Sequence, residues 1–432
     1  MLNGLRPSIT VLAAACIFGH HAEATTPSGK GEVWTLPKLV QVALANNAEL
    51  KFYEAEVLAA QGKRTQAGLW KNPELSGQYG ERKVKEPGAG QETGFTRSGS
   101  ITQTFEFPGK GSLRKGIADR DIEIAQLGLK QFRLALSGQV QNLAYQLALA
   151  ASNAEAAEEI VARSTKVINV LRERPTAGGQ QLLELRLIEA NVAEFQKYLR
   201  EFQQTQEEAR IELNRLVGQP PSQRLPIKIQ LTAPIQRLNL TELVQKGSRH
   251  NLQLRTRKIE LEKAVREVSA AKLEIAPDLS IGPFFSQDKA GADEQNYGVT
   301  LSATLPLWNW NQGNIVAAKA RREQADAMLM DARQRVESEI ARRVRLYQLT
   351  QQHLEKIPAE MERNLREAAA EAENLYRHGS IPVQLYLQVQ REFLNLRQMR
   401  NQLVLDAKRY QWDLSLLTGD PLDENLALPL KR

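Results

Sequence analysis

The stretch from residue 277 to residue 307 constrains the fold most, because the chain clearly changes its periodicity there. Apolar and polar residues alternate over 278–286, and after a polar break at 287–294 they alternate again over 296–307. Such alternation places successive side chains on opposite faces of a strand. It predicts two strands, 277–286 and 295–307, each with one apolar and one polar face. A lone hairpin is marginally stable in water, so these strands must belong to a larger sheet.

Long helices are predicted for most of the remaining chain. Only 6% of residues are aromatic, against 42% hydrophobic overall, a balance more typical of long helices than of a compact enzyme core. Apolar residues spaced alternately three and four apart form long seams, which predict coiled-coil hairpins. Ser164 is a polar exception, and Pro358 predicts a kink because it lacks an N–H and clashes with the preceding turn. The seams cover residues 136–171, 185–216, 340–375 and 386–417.

The chain contains an internal repeat. Residues 36–41 match residues 240–245 at a shift of 204, and the same shift carries Asn47 onto Asn251. Each half is therefore predicted to contain a helix, two strands and a helical hairpin. The first repeat is 25–218, with strands at 73–81 and 95–107, a charged loop at 82–94, and hairpin helices at 112–172 and 181–217. A Pro-rich linker follows at 219–234; the second repeat is 235–421, with hairpin helices at 314–377 and 383–418, and the tail is 422–432.

The N-terminal residues 1–24 read as a secretory signal peptide. An apolar run at 9–19 leads to Ala22-Glu23-Ala24, which has the small-residue pattern of a cleavage site. The single cysteine, Cys16, lies inside this segment, so cleavage leaves no thiol for a disulfide or a metal. The alternative is a lipoprotein signal in which Cys16 is retained and lipidated.

The strand count predicts an oligomer. Single-chain barrels in outer membranes start at about eight strands, and this chain supplies only four. No strand edge can stay unpaired in lipid, so the strands must pair between copies, and three copies give twelve. The predicted fold is mainly α with a small β part, a trimeric twelve-stranded transmembrane β-barrel that continues into an α-helical coiled-coil barrel. The alternative is a soluble, secreted coiled-coil rod capped by a small sheet.

Two local motifs lie where a strand is followed by a helix, at 102–111 and at 305–315. With the two repeats, they resemble the TolC family of trimeric outer-membrane efflux ducts, in particular its CzcC-like branch for heavy-metal cations. The resemblance covers about residues 34–421. Proline and glycine in these motifs interrupt the strand ladder, and asparagine supplies turn and helix-cap contacts. The predicted barrel–tunnel junction residues are Pro108, Gly109, Lys110, Pro306, Asn309, Asn311 and Gly313.

The resemblance also implies that the hairpin tips form the periplasmic gate and bind an adaptor protein. The corresponding residues here are Gly178, Gly179, Gln181, Glu184, Gly379, Ser380, Pro382, Leu385 and Gln388. The best-known members of the family carry second-half carboxylates six and nine residues after the tip glycine, but this chain has Leu385 and Gln388 there. Glu184 is the one acid at a matching position. Three copies of it are predicted to form a ring that favours cations.

The sequence predicts a conduit rather than an enzyme. It shows no catalytic set, cofactor motif or metal site, and His250, His353 and His378 are not at metal-ligand spacing. The net charge is +7, but lysine and arginine are interspersed with acids, which argues against nucleic acid. By resemblance the partners are two further copies, a periplasmic adaptor, an inner-membrane resistance-nodulation-division pump and outer-membrane lipid, with divalent heavy metals as cargo. The alternatives are organic drugs or type I protein secretion through the same duct, or a periplasmic scaffold or adaptor protein.

Overall fold

A computed structural model describes residues 33–85, 90–173, 179–229, 231, 237–290 and 292–419. The predicted signal peptide with Cys16, the tip residue Gly178 and the tail 422–432 lie outside the described residues. The first half contains α1 (Leu36–Asn46), α2 (Ala48–Ala67), β1 (Glu74–Lys85), β2 (Gln91–Phe105), α3 (Lys110–Glu173) and α4 (Gly179–Val217). The second half contains α5 (Leu240–His250), α6 (Leu252–Leu273), β3 (Leu279–Ala290), β4 (Ala292–Ala303), α7 (Gln312–Lys356), α8 (Ala359–Arg377) and α9 (Val383–Thr418).

The four strands form one antiparallel sheet in the order β1-β2-β3-β4. The hairpin of each half is joined to the other by the pairing of β2 with β3, in which Ser98 lies opposite Ser286. Among the described residues, no strand pairs with the outer edge of β1 or of β4. One chain therefore makes an open sheet with two unsatisfied edges.

The strands reach further from the helices than the sequence predicts. Most of the predicted loop at 82–94 and of the polar break at 287–294 is strand, because β1 continues to Lys85 and β3 to Ala290. The prediction was wrong here because it relied on alternation, whereas backbone pairing continues between wholly polar side chains. Ion pairs help to hold these ends, including Arg82–Asp288 at 2.8 Å.

At its other end β4 is shorter than predicted, ending at Ala303 rather than at residue 307. Ala303 pairs with Leu279, the first residue of β3. If the pairing continued, residue 305 would lie opposite Pro277, which has no N–H to donate. Pro306, the next residue on the β4 side, also has no N–H. Residues 304–307 leave the ladder and begin the connection to α7.

The helical hairpins bury the predicted seams. In the first half, Val140 and Ala157 of α3 and Phe195 and Leu213 of α4 are fully buried. The polar exception Ser164 is also fully buried, and its hydroxyl lies 3.0 Å from the Tyr386 hydroxyl of α9. The hydrogen bond satisfies both groups, so Ser164 links the two hairpins rather than weakening the seam.

Pro358 separates two helices instead of kinking one. Helix α7 ends at Lys356, and Pro358 is the N-cap residue of α8, with an extended backbone. The break changes which residues of the seam are buried. Ala369 and Tyr376 are buried where the uninterrupted pattern predicts Ala368 and Leu375, so the predicted seam was wrong at those two positions, whereas Ala372 is buried as predicted.

The two halves use equivalent contacts at equivalent positions. Asn47 caps α2 by accepting the backbone N–H of Leu50, and Asn251 caps α6 by accepting that of Leu254. Each second long helix ends in a glycine in the left-handed region, Gly218 and Gly419, both with φ of 72°. The repeat seen in the sequence is therefore a structural repeat.

Candidate functional site

The sheet has one apolar and one polar face. Strand register puts odd-numbered residues together on one face, so that Leu75 lies beside Ile101 and Ile281 lies beside Leu301. These side chains are exposed, as Leu75 at 81% illustrates. On the even-numbered face the neighbours are polar, as in the hydroxyl pair Ser76–Ser100 at 2.8 Å. Exposed apolar residues outside and polar residues inside are the pattern of a strand in a lipid-embedded barrel.

Aromatic residues mark both ends of the apolar face. The lower rim, next to the helices, consists of Trp70, Phe105, Phe107, Trp308 and Trp310. The upper rim consists of Tyr79, Phe95 and Tyr297. From Phe105 to Phe95 along β2 is about 33 Å at ~3.3 Å per residue, or about 25 Å of height at a strand tilt of ~40°.

That height equals the apolar band of an outer-membrane barrel, which is about 25 Å and flanked by aromatic girdles. These rims were not predicted from the sequence. The available signal was the concentration of tryptophan and phenylalanine just beyond the strand ends, at 70, 105–107 and 308–310.

Asp278 is the centre of the junction between strands and helices. It accepts a 2.9 Å ion-pair hydrogen bond from Nζ of Lys110, a 3.1 Å bond from the backbone N–H of Phe107 and a 3.3 Å bond from Nζ of Lys71. Burial acts to raise the pKa of Asp278, but the hydrogen bonds from Lys110, Phe107 and Lys71 outweigh it and lower the pKa. The predicted junction residue Lys110 is thus the buried partner of an acid that sequence reasoning missed.

A signal for Asp278 existed in the repeat, since an acid follows the matched prolines in both halves, Glu74 after Pro73 and Asp278 after Pro277. Because Asp278 belongs to the second half and Lys110 to the first, this ion pair joins the two halves at the base of the sheet. Gly109 adopts φ of 102°, a conformation that favours glycine, and it lets the chain turn from Phe107 into α3.

The second junction motif is a local turn. Asn309 accepts the backbone N–H of Asn311 at 2.9 Å, as predicted for an asparagine turn. Asn311 is the N-cap residue of α7, but it is left-handed, with φ of 56°, and its amide donates to the carbonyl of Ala271 at 2.8 Å. The predicted side-chain cap is therefore wrong for Asn311, which instead ties α7 to α6. The predicted junction residue Pro306 lies in the segment that follows β4. At Gly313, a further predicted junction residue, no atom lies within 4 Å of a Cβ added to the backbone.

The second hairpin tip is a Schellman turn. Gly379, with φ of 74°, donates its N–H to the carbonyl of Tyr376, and Ser380 donates to that of Leu375, both at 2.9 Å. Pro382 then occupies the N-cap position of α9. In the first hairpin, Gly179 begins α4. Gly379 thus has the structural role that the sequence predicts for a hairpin turn.

Glu184 connects the two tips. Its carboxylate accepts a 3.1 Å hydrogen bond from the Tyr376 hydroxyl, and the Tyr376 ring stacks on Tyr386 with centroids 5.3 Å apart. A cleft of about 730 Å³ lies between the tips. Its lining includes the predicted residues Gln181, Glu184, Gly379, Ser380 and Pro382. Leu385 and Gln388 do not line this cleft and are exposed on α9.

In the part of the chain that the structure describes, no three histidine, cysteine, aspartate or glutamate side chains are grouped so that they could hold a metal ion. None of the described helices combines the length and apolar character needed to cross a membrane.

The sequence matches a protein family and a characterised relative. A family model described as "Outer membrane efflux protein" matches residues 39–219 and 243–420, which is more than half of the chain. The nickel-cobalt-cadmium resistance protein NccC of Alcaligenes xylosoxydans xylosoxydans is 30% identical over 162 residues. This match covers 36% of the chain and 35% of the relative, so the chain spans about a third of the length of that relative.

Solved channel structures have a similar fold. The outer-membrane channel OprN matches with a TM-score of 0.73 at 19% identity, covering 89% of each chain. CusC, a protein that forms a transmembrane channel, matches with a TM-score of 0.70 at 16% identity. The match covers 91% of this chain and 96% of CusC. The outer membrane channel CmeC of Campylobacter jejuni matches with a TM-score of 0.69 at 16% identity, covering 90% and 87%.

Proposed function

This chain belongs to the outer membrane efflux protein family, and on that premise we propose that three copies of it form one channel that exports divalent heavy-metal cations. Its location is the outer membrane and its general role is efflux. The soluble-rod and adaptor alternatives are wrong, because neither is an outer-membrane efflux channel. The proposal concerns the trimeric assembly, the cargo, the periplasmic adaptor and the inner-membrane pump.

One observation carries the trimer: the sheet is open at both edges and apolar on one face. In lipid, unpaired N–H and C=O groups cost several kcal/mol each, so β1 of one copy pairs with β4 of the next. Four strands cannot enclose a lumen, whereas three copies supply twelve strands, within the range of known outer-membrane barrels. The hairpins α3–α4 and α7–α9 continue each wall as a helical tunnel.

The trimer is tested by extraction and conductance. We expect the protein to need detergent, to migrate as a trimer when unheated, and to form cation-permeable pores in planar bilayers. A monodisperse, water-soluble monomer would contradict the barrel.

Heavy-metal cargo is supported by the similarity to NccC, whose name specifies nickel, cobalt and cadmium resistance. In our proposal an adaptor binds the paired tips and an inner-membrane resistance-nodulation-division pump supplies the energy. The test is the tolerance of a deletion strain to nickel, cobalt, cadmium, zinc and copper, alongside detergents and organic drugs. Sensitivity to divalent metals alone supports the cargo, and sensitivity to organic compounds alone supports the drug alternative.

The Glu184 ring is the proposed cation-attracting element at the tips. Glu184→Gln should lower the cation preference of reconstituted channels, because it removes one negative charge per copy near the axis. Glu189 is the matched control, since it lies near the same tip but is paired with Arg172 at 2.7 Å, a hydrogen bond that lowers its pKa. We expect Glu189→Gln to change the reversal potential less. Equal reversal potentials for Glu184→Gln and the wild type would remove this role.

A further inference from the structure

The lipid-facing side of the sheet carries one arginine within its upper aromatic rim. Arg97 is an odd-numbered residue of β2, on the same face as Ile101 and Tyr79, and it is exposed. Because β2 lies between β1 and β3 of its own chain, the surroundings of Arg97 on the sheet do not depend on a neighbouring copy. A charged side chain on this face needs an explanation, since arginine facing hydrocarbon is costly except near the interface.

The neighbours of Arg97 fix its position but leave its outer nitrogens available. Its Nε donates to Oε1 of Gln287 at 2.8 Å, and its guanidinium lies 5.8 Å and 5.9 Å from the ring centroids of Phe95 and Phe285. Gln287 is only 5% exposed and donates in turn to Asp293 at 2.5 Å. Among the described residues, no hydrogen bond or ion pair to the two η nitrogens is present. The guanidinium is therefore held against the sheet through Nε, and both η nitrogens remain available to a ligand.

The charged residues around Arg97 include both signs. Lys289 and Glu81 each lie opposite Phe95, on the same face as Arg97 and diagonal to it. The charged odd-numbered residues at this end of the sheet are the cations Lys83, Lys85, Arg97 and Lys289 and the acids Glu81 and Asp293. Glu81 pairs with Lys83 and Asp293 pairs with Lys289, both at 3.4 Å, at the end of the sheet farthest from the helices. Among the described residues this leaves Lys85 and Arg97 as the cations of this group that no acid neutralises.

We propose that Arg97 binds the phosphate of an anionic lipid in the outer leaflet. The planar guanidinium matches a phosphate with two parallel N–H···O bonds, and the contacts with Gln287, Phe95 and Phe285 hold it in place. The upper rim brings Arg97 to the depth at which lipid phosphates lie. The inference rests on the proposed function, because it needs the odd-numbered face to be turned to lipid.

The test measures lipid binding to the purified wild-type protein in detergent by native mass spectrometry. The probes are lipid A, which carries phosphates, and the same lipid after enzymatic removal of the phosphates. We expect one tightly bound lipid A per copy and at least about ten-fold weaker binding of the dephosphorylated lipid, a ratio that corresponds to about 1.4 kcal/mol. Excess inorganic phosphate should not displace the lipid, and displacement would assign the site to free anions instead.

Two variants locate the site. Arg97→Gln should weaken lipid A binding about ten-fold. Arg82→Gln is the control, because Arg82 is on the opposite, even-numbered face and pairs with Asp288 at 2.8 Å. Equal binding by Arg97→Gln and the wild type, or equal losses in both variants, would overturn the proposal. If Arg97→Gln does not assemble, the two-lipid comparison on the wild type still decides. A conducting trimer that binds lipid A and the dephosphorylated lipid equally well refutes the lipid site alone. A water-soluble monomer refutes the channel as well.

Discussion

Replacing Asp278 by asparagine should loosen the junction between the two halves. The variant removes the negative charge opposite Lys110, whose side chain is only 8% exposed, and leaves that ammonium without an ionised partner at 2.9 Å. Breaking a buried pair by removing one member costs about 3–5 kcal/mol, and a hydrogen bond to a charged group contributes about 1.5–3 kcal/mol. Asp278 is 23% exposed and asparagine can still accept one bond, so we expect about 2–3 kcal/mol per chain.

Two further variants make the reasoning specific. Lys71→Met removes the outer partner of the same carboxylate, but that lysine is 55% exposed, so its loss should cost less than about 1 kcal/mol. Combining Lys110→Met with Asp278→Asn removes both charges, and replacing both partners of an ion pair is close to neutral. The double variant should therefore be more stable than Asp278→Asn alone.

The assay is the loss of the proposed trimer on heating, followed by gel migration and circular dichroism. Because trimer loss in detergent is often irreversible, half-lives at one temperature should be compared rather than midpoints. The expected order of half-lives is wild type, Lys71→Met, the double variant and Asp278→Asn. Equal half-lives for Asp278→Asn and Lys71→Met, or a double variant no better than Asp278→Asn, would refute the assigned role of the buried pair.

Further predictions concern pH and the helix ends. The pKa of Asp278 is lower in the folded chain than its ordinary value of 3.8. The stabilisation that its carboxylate provides is therefore complete above that value and is lost as pH falls through the lower folded pKa. When half-lives on heating are measured at decreasing pH, they should shorten less in Asp278→Asn than in the wild type. Gly379→Ala should cost about 1 kcal/mol, because φ is 74° but no atom lies within 4 Å of the added Cβ. Gly419→Ala should cost more, since its φ is 72° and the Cβ would lie 2.4 Å from the His250 carbonyl oxygen; equal melting of these two alanine variants would contradict this.

Periodicity in the sequence was sufficient for the elements whose environment is uniform along their length. The seams of α3, α4 and α9 repeat because each turn of those helices meets another helix, and the predicted end of α9 at residue 418 agrees with the structure. The buried face of α8 was not predictable in this way, because Pro358 ends one helix and begins another. The spacing of apolar residues in α7 therefore does not fix which residues of α8 are buried. The outer ends of the strands were also missed, because the residues beyond the upper aromatic rim are mostly polar and do not alternate between apolar and polar.

The sequence by itself determined the repeat, the helical hairpins, the alternating strands and the conclusion that one copy has too little sheet to close. These follow from spacing along the chain, which fixes which side chains share a face. Only the tertiary structure decided that Asp278 meets Lys110, that Glu184 meets Tyr376, and that Arg97 is held by Gln287. Each of these contacts joins residues more than 160 positions apart, and such a distance is closed by the packing of whole elements rather than by any local preference.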